Sequence, residues 1–135
     1  MIRKGQVIGL RAITAVAVAF VLLVGLAVAA YSYIDTSAHQ LVGEFNKVEG
    51  AINQGQWALA KDQLVLARAK WEQTKPVWTV LLNHREIDNI DVALARVEKY
   101  AESSAVSFSL GELASLRLLV THIADTEYPT LANIL

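Results

Sequence analysis

Two hydrophobic patterns divide the chain. From Ala12 to Ile34 the sequence AITAVAVAFVLLVGLAVAAYSYI runs for 23 residues without Asp, Glu, Lys, Arg or His. At about 1.5 Å rise per residue, a helix of that length reaches roughly 35 Å and crosses a hydrocarbon core of about 30 Å with some tilt. Beyond Ile34 the apolar residues become periodic. Leu41, Phe45, Val48 and Ile52 fall on one helical face, and extending that stripe backwards adds Ala38 and Ile34, so the apolar segment is expected to continue into the first helix of the domain. Asp35, Thr36 and Ser37 offer a competing N-cap for a separate helix.

Asn53 and Gly55 tolerate positive φ and mark a turn. Trp57, Ala60, Leu64, Ala67 and Trp71 then repeat at helical steps, with Lys61, Asp62, Arg68 and Lys70 on other faces. Thr74-Lys75-Pro76 predicts a break, with Pro76 in the first turn of a third helix from Val77 to Glu102, because the missing N–H has no partner to lose there. That helix would bury Leu81, Ile87, Ile90, Leu94, Val97 and Ala101. Residues 103–109 read as a turn, with Ser109 and Glu112 at the spacing of a capping box. A fourth helix carrying Leu110, Leu113, Leu116, Val120 and Ile123 ends before Pro129, and the apolar tail Leu131-Ala132-Asn133-Ile134-Leu135 follows. No strand-length run alternates, so the predicted fold is all-α: an N-terminal transmembrane helix followed by an antiparallel four-helix bundle or stacked helical hairpins.

Charge sets the topology. Arg3, Lys4 and Arg11 precede the apolar segment, and three of the 12 basic residues lying there leave 9 basic against 13 acidic beyond it. Short basic flanks stay cytoplasmic, so residues 1–11 are expected to form a cytoplasmic tail, 12–34 the anchor and 35–135 an extracytoplasmic domain. Tyr31 and Tyr33 fall where the anchor would meet the lipid–water interface. A cleaved secretory signal competes with an anchor, since Ala27-Val28-Ala29 has small residues at peptidase spacing; the apolar run exceeds the usual signal core of about 7 to 15 residues and favours retention. Gly25 and Ala29, four apart, allow two such helices to approach closely, which leaves a homodimer open.

Trp71, Lys75-Pro76-Val77-Trp78, Leu82, His84, Glu86-Ile87-Asp88-Asn89-Ile90 and the ending Asn133-Ile134-Leu135 carry a likeness. The chain resembles a domain-of-unknown-function family of small single-pass membrane proteins from Gram-positive, often spore-forming, bacteria. The resemblance covers nearly the whole length. It implies a membrane location, an extracytoplasmic helical domain and a membrane-protein partner, and it transfers no activity, cofactor or catalytic residue.

The absence of cysteine excludes disulfides, a thiol nucleophile and cysteine metal sites. No nucleophile elbow or phosphate-binding glycine loop is present, and the acidic balance beyond the anchor lacks the basic stripe of a nucleic-acid binder. His84, Asp88 and Asp91 share a helical face, and His122 with Asp125 on the next helix could complete a nitrogen–oxygen metal site. A solvated, salt-bridged face accounts for them better, so neither a cofactor nor enzymatic activity is expected. Trp57 and Trp71 fit a buried stripe. Trp78, placed by the expected turn, and Leu131, Ile134 and Leu135 in the tail are the candidates for docking a partner. The functional expectation is a non-enzymatic interaction module in the cell envelope, docking a membrane or envelope protein. An extracytoplasmic small-ligand sensor acting through a partner membrane protein is the alternative, and a metal-dependent hydrolase comes last.

Overall fold

The computed structural model describes residues 4–126, with side chains from residue 9 onward. Those residues form four helices, α1 (Lys4–Asn53), α2 (Trp57–Leu81), α3 (His84–Glu102) and α4 (Val106–Thr126), and among the described residues there is no strand. The chain divides into two units, Met1–Tyr33 and Ile34–Leu135.

In the first unit the described apolar side chains of α1 as far as Ala29, Leu10, Ile13, Phe20, Leu22 and Leu26 among them, stand exposed. Mean hydropathy reaches 2.7 over its most apolar stretch, none of which is buried, so by length and composition this helix is able to cross a membrane. The hydroxyl of Thr14 donates to the Leu10 carbonyl at 2.9 Å, which satisfies that polar group within the helix. α4 also meets the length and composition of a span, but its Leu113, Leu116, Val120 and Ile123 are buried in the core of the second unit.

That core begins at Ile34 and draws on all four helices, with Phe45, Leu64, Trp71, Trp78, Leu94 and Leu116 inside. The stripe predicted for α1 is buried as Ile34, Ala38, Leu41, Phe45, Val48 and Ile52. No cap interrupts it at residues 35–37; instead the hydroxyl of Ser37 donates back to the Ile34 carbonyl at 3.1 Å. Gly55, with φ +68°, makes the turn into α2.

α2 differs from the expected pattern. It runs straight through Pro76 and ends at Leu81, and Asn83, whose side chain accepts from the Arg85 N–H, caps α3. The expected break at residues 74–76 is therefore misplaced by about two turns. Buried Leu64, Ala67, Trp71, Thr74 and Trp78 keep one register, and a helix ending at Pro76 would swing Trp78 out of it. An interior proline costs about 3 kcal/mol, whereas burying an indole of about 150–250 Å² at about 25 cal/mol per Å² gives about 4–6 kcal/mol. Burial outweighs the proline. The capping box also fails: α4 starts at Val106, and Ser109 lies inside it, fully buried. The link is only Ser103 to Ala105, with Ser104 at φ 55°. Glu112 instead faces Arg96 of α3 at 3.7 Å.

Side chains fix how neighbouring helices pair. Arg68 meets Glu98 and Lys75 meets Asp91, so α2 and α3 run antiparallel. Arg117 of α4 pairs with Glu49 of α1, and Trp78 of α2 donates to Ser37 of α1 at 2.9 Å. Trp71→Ala removes the central indole, and chemical denaturation should show a loss of about 3–5 kcal/mol; a loss below about 1 kcal/mol would mean that the ring is not part of the core.

Candidate functional site

On α1, Asp35, Ala38, His39 and Val42 lie at i, i+3, i+4 and i+7, and so on one face. On α4, Thr121, Ala124 and Asp125 face them across a groove of about 180 Å³. The depression follows from residue size: Ala38 and Ala124, both buried, line it from α1 and α4 where larger side chains would fill the gap. Val42 closes one side against the core. Asp35, His39, Thr121 and Asp125 form a more exposed rim.

The rim carries two carboxylates and one imidazole. His39 Nδ1 lies 2.8 Å from the Asp35 carbonyl oxygen and 3.5 Å from Asp35 Oδ1. A carbonyl only accepts, so Nδ1 carries the hydrogen and Nε2 is the nitrogen left to face a visitor. The two carboxylates give the rim acceptors of negative charge, and it suits a segment that brings a cation or N–H donors to it.

A polar ladder joins α2 to α3. Arg68 donates in a fork to Glu98, Nε to Oε1 at 2.9 Å and Nη2 to Oε2 at 2.8 Å, and the hydrogen bond to Glu98 is the main reason its pKa is raised. Trp71 Nε1 and Lys75 Nζ each donate to the Asp91 carboxylate at 2.7 Å. Burial opposes ionisation of Asp91 and is the largest single influence on it. The two hydrogen bonds and the charges of Lys75 and Arg68 together outweigh it and hold the carboxyl below its ordinary value. Lys75 is raised in turn, chiefly by the same bond.

The structure redistributes the residues singled out from the sequence. Asp91 points to α2 and is occupied by Trp71 and Lys75, while His84, Asp88 and His122 are exposed. Asp125 lies in the groove with Asp35 and His39. Among the described residues no three His, Cys, Asp or Glu side chains gather as metal ligands. Trp78 is fully buried rather than presented at a turn, because α2 continues past Pro76, and its ring meets Trp71 edge-to-face at 5.8 Å. The ring is not available at the surface for docking. The other docking candidates, Leu131, Ile134 and Leu135, lie outside the described residues. The pair Asp35 and His39 is readable in the sequence by its i, i+4 spacing, but the pattern of a cap at residues 35–37 masks it.

The chain belongs to a protein family described as Domain of unknown function (DUF4363), which matches residues 28–134. The match takes in the helical unit and only the last turns of the apolar segment before it. No curated protein and no solved structure matches the chain.

The depressed pKa of Asp91 ties stability to pH. Its carboxylate stabilises the fold fully above the ordinary value of 3.8, and that contribution fades as pH falls from there through the lower folded value. Asp91→Asn should flatten this acid-side loss in denaturation curves and cost about 1–3 kcal/mol near neutrality. An unchanged acid profile would assign the loss to other carboxylates.

Proposed function

We propose that this member of the DUF4363 family is a membrane-anchored, non-enzymatic interaction module of the cell envelope. Residues 12–34 span the bilayer with the N-terminus in the cytoplasm. The helices beyond Ile34 form an antiparallel four-helix bundle on the extracytoplasmic side, in line with the membrane location and extracytoplasmic helical domain that the sequence resemblance implies. The observation that carries this is the exposed apolar surface of α1 from Leu10 to Ala29, followed in the chain by a unit with its own core from Ile34 onward. Water is a poor solvent for so long an apolar surface, and lipid is a good one. Arg3, Lys4 and Arg11 before the segment, and the acidic balance after it, support the orientation.

The groove between α1 and α4 is the docking site for a membrane or envelope protein. Its volume of about 180 Å³ falls below the roughly 300–1,000 Å³ typical of small-molecule sites, which favours a protruding side chain of a protein partner. The carboxylates of Asp35 and Asp125 favour a basic one. A second reading, a small-ligand sensor acting through another membrane protein, draws on a depression of about 360 Å³ lined by Lys47, Gln54, Gln56 and Gln63 among others. There the Gln63 Oε1 is buried without a hydrogen-bond partner. A small molecule that raises the thermal midpoint of the chain, but not of its Gln63→Leu variant, would favour that sensor.

A photo-crosslinking side chain at Thr121, in native membranes, should yield a discrete protein adduct that Asp35→Asn combined with Asp125→Asn greatly reduces. The same group at Leu118, exposed on α4 outside the groove, should not. Equal yields from both positions, or no effect of the double substitution, would contradict docking in the groove.

A further inference from the structure

The last turn of α2 presents apolar side chains outward at one end of the helical unit. Val80 is 84% exposed, and Val77 and Leu81 are each 39% exposed. Trp78, within the same turn, is fully buried and donates its indole N–H to Ser37. Immediately after the turn, His84 and Arg85 are exposed at the start of α3. An exposed valine alone means little. Three apolar side chains on one turn, with the Arg85 guanidinium beside them, form the composition that enters a lipid–water interface: apolar groups reach inward and the cation stays at the headgroups.

Chain connectivity supplies the location. Ser37 follows Ile34 by three residues, roughly 5 Å of helical rise. A bilayer of about 40–45 Å overall around a core of about 30 Å leaves a headgroup layer of roughly 5–8 Å on each side. With the span ending near Ile34, residue 37 falls within that layer, and the α2 turn bonded to it falls there too.

We propose that the turn between α2 and α3 is a second membrane contact, in which Val77, Val80 and Leu81 enter the lipid interface and Arg85 meets anionic headgroups. The inference rests on the anchor proposed above. The occupant is lipid because the surface lies at the level where the chain leaves the bilayer and because it pairs apolar with basic groups. The unit then touches the membrane at two points and is restrained from tilting freely about one helix.

The test uses the full chain, which has no cysteine of its own, reconstituted in vesicles of phosphatidylcholine with phosphatidylglycerol. An environment-sensitive fluorophore is placed on Val80→Cys, on Val65→Cys, which is 67% exposed on the same helix, or on Phe20→Cys in the apolar segment. Lipids carrying a nitroxide quencher near the headgroup should quench the Val80 label several-fold more than the Val65 label, and Arg85→Gln should reduce that difference. Quenchers deep in the acyl chains should act on the Phe20 label. Equal quenching at Val80 and Val65, with Phe20 quenched, overturns the second contact and leaves the anchor standing. A Phe20 label untouched by lipid quenchers overturns the anchor and the inference together. A Val80 label that is shielded yet unquenched, and that crosslinks to a second copy, identifies a protein contact and overturns the lipid assignment.

Discussion

An indole N–H taken out of water must find an acceptor, and two such groups, on Trp71 and Trp78, organise the helical unit. Trp71 donates to Asp91 on α3 and Trp78 to Ser37 on α1, while the two rings meet edge-to-face on α2. One face of α2 is thereby tied to the helices on either side of it. The rest follows from these ties. Asp91 stays ionised because it serves Trp71 and Lys75, so it is withdrawn from any metal site with His84 and Asp88. Pro76 is held in mid-helix because the register from Leu64 to Trp78 is stronger than the break it would impose. Ser37 is an acceptor for an indole and not the cap of a new helix.

The Ile34 to Thr126 region has its own core, whereas the apolar side chains from Leu10 to Ala29 stand exposed. The proposed assignment to lipid and water follows from that contrast. It makes the groove of Asp35, His39 and Asp125 and the α2–α3 turn neighbours of the membrane, since both involve residues just after Ile34. A partner protein anchored in the same bilayer would reach the groove without leaving the surface, and confinement to one membrane raises its effective concentration.

Much of this was readable in the sequence. The uncharged run from Ala12 to Ile34, the α1 stripe through Ile52, the turn at Gly55 and the apolar register of α4 all appear where the three- and four-residue spacing puts them. The misplaced boundaries have a common cause: local signals were overruled by packing. Pro76 looks like a helix start, yet burying Trp78 in register needs α2 to extend past it, and the Ser109 and Glu112 pair looks like another, yet α4 begins at Val106 and takes Ser109 into its buried face. The groove was less legible, because it is lined by one alanine from α1 and one from α4, and no single-helix period reveals which small residues will line the same depression. The hydrogen bonds from Trp71 to Asp91 and from Trp78 to Ser37 likewise join residues 20 and 41 positions apart.

The proposed division between lipid and water is tested most directly by cysteine accessibility along α1. In intact cells, a membrane-impermeant maleimide should label Gln40→Cys and Asn46→Cys, both exposed on the helical unit, and should leave Leu22→Cys and Val24→Cys unlabelled until the membrane is dissolved. Labelling of Leu22→Cys in intact cells, or labelling of Gln40→Cys only after permeabilisation, would contradict an extracytoplasmic unit anchored by residues 12–34.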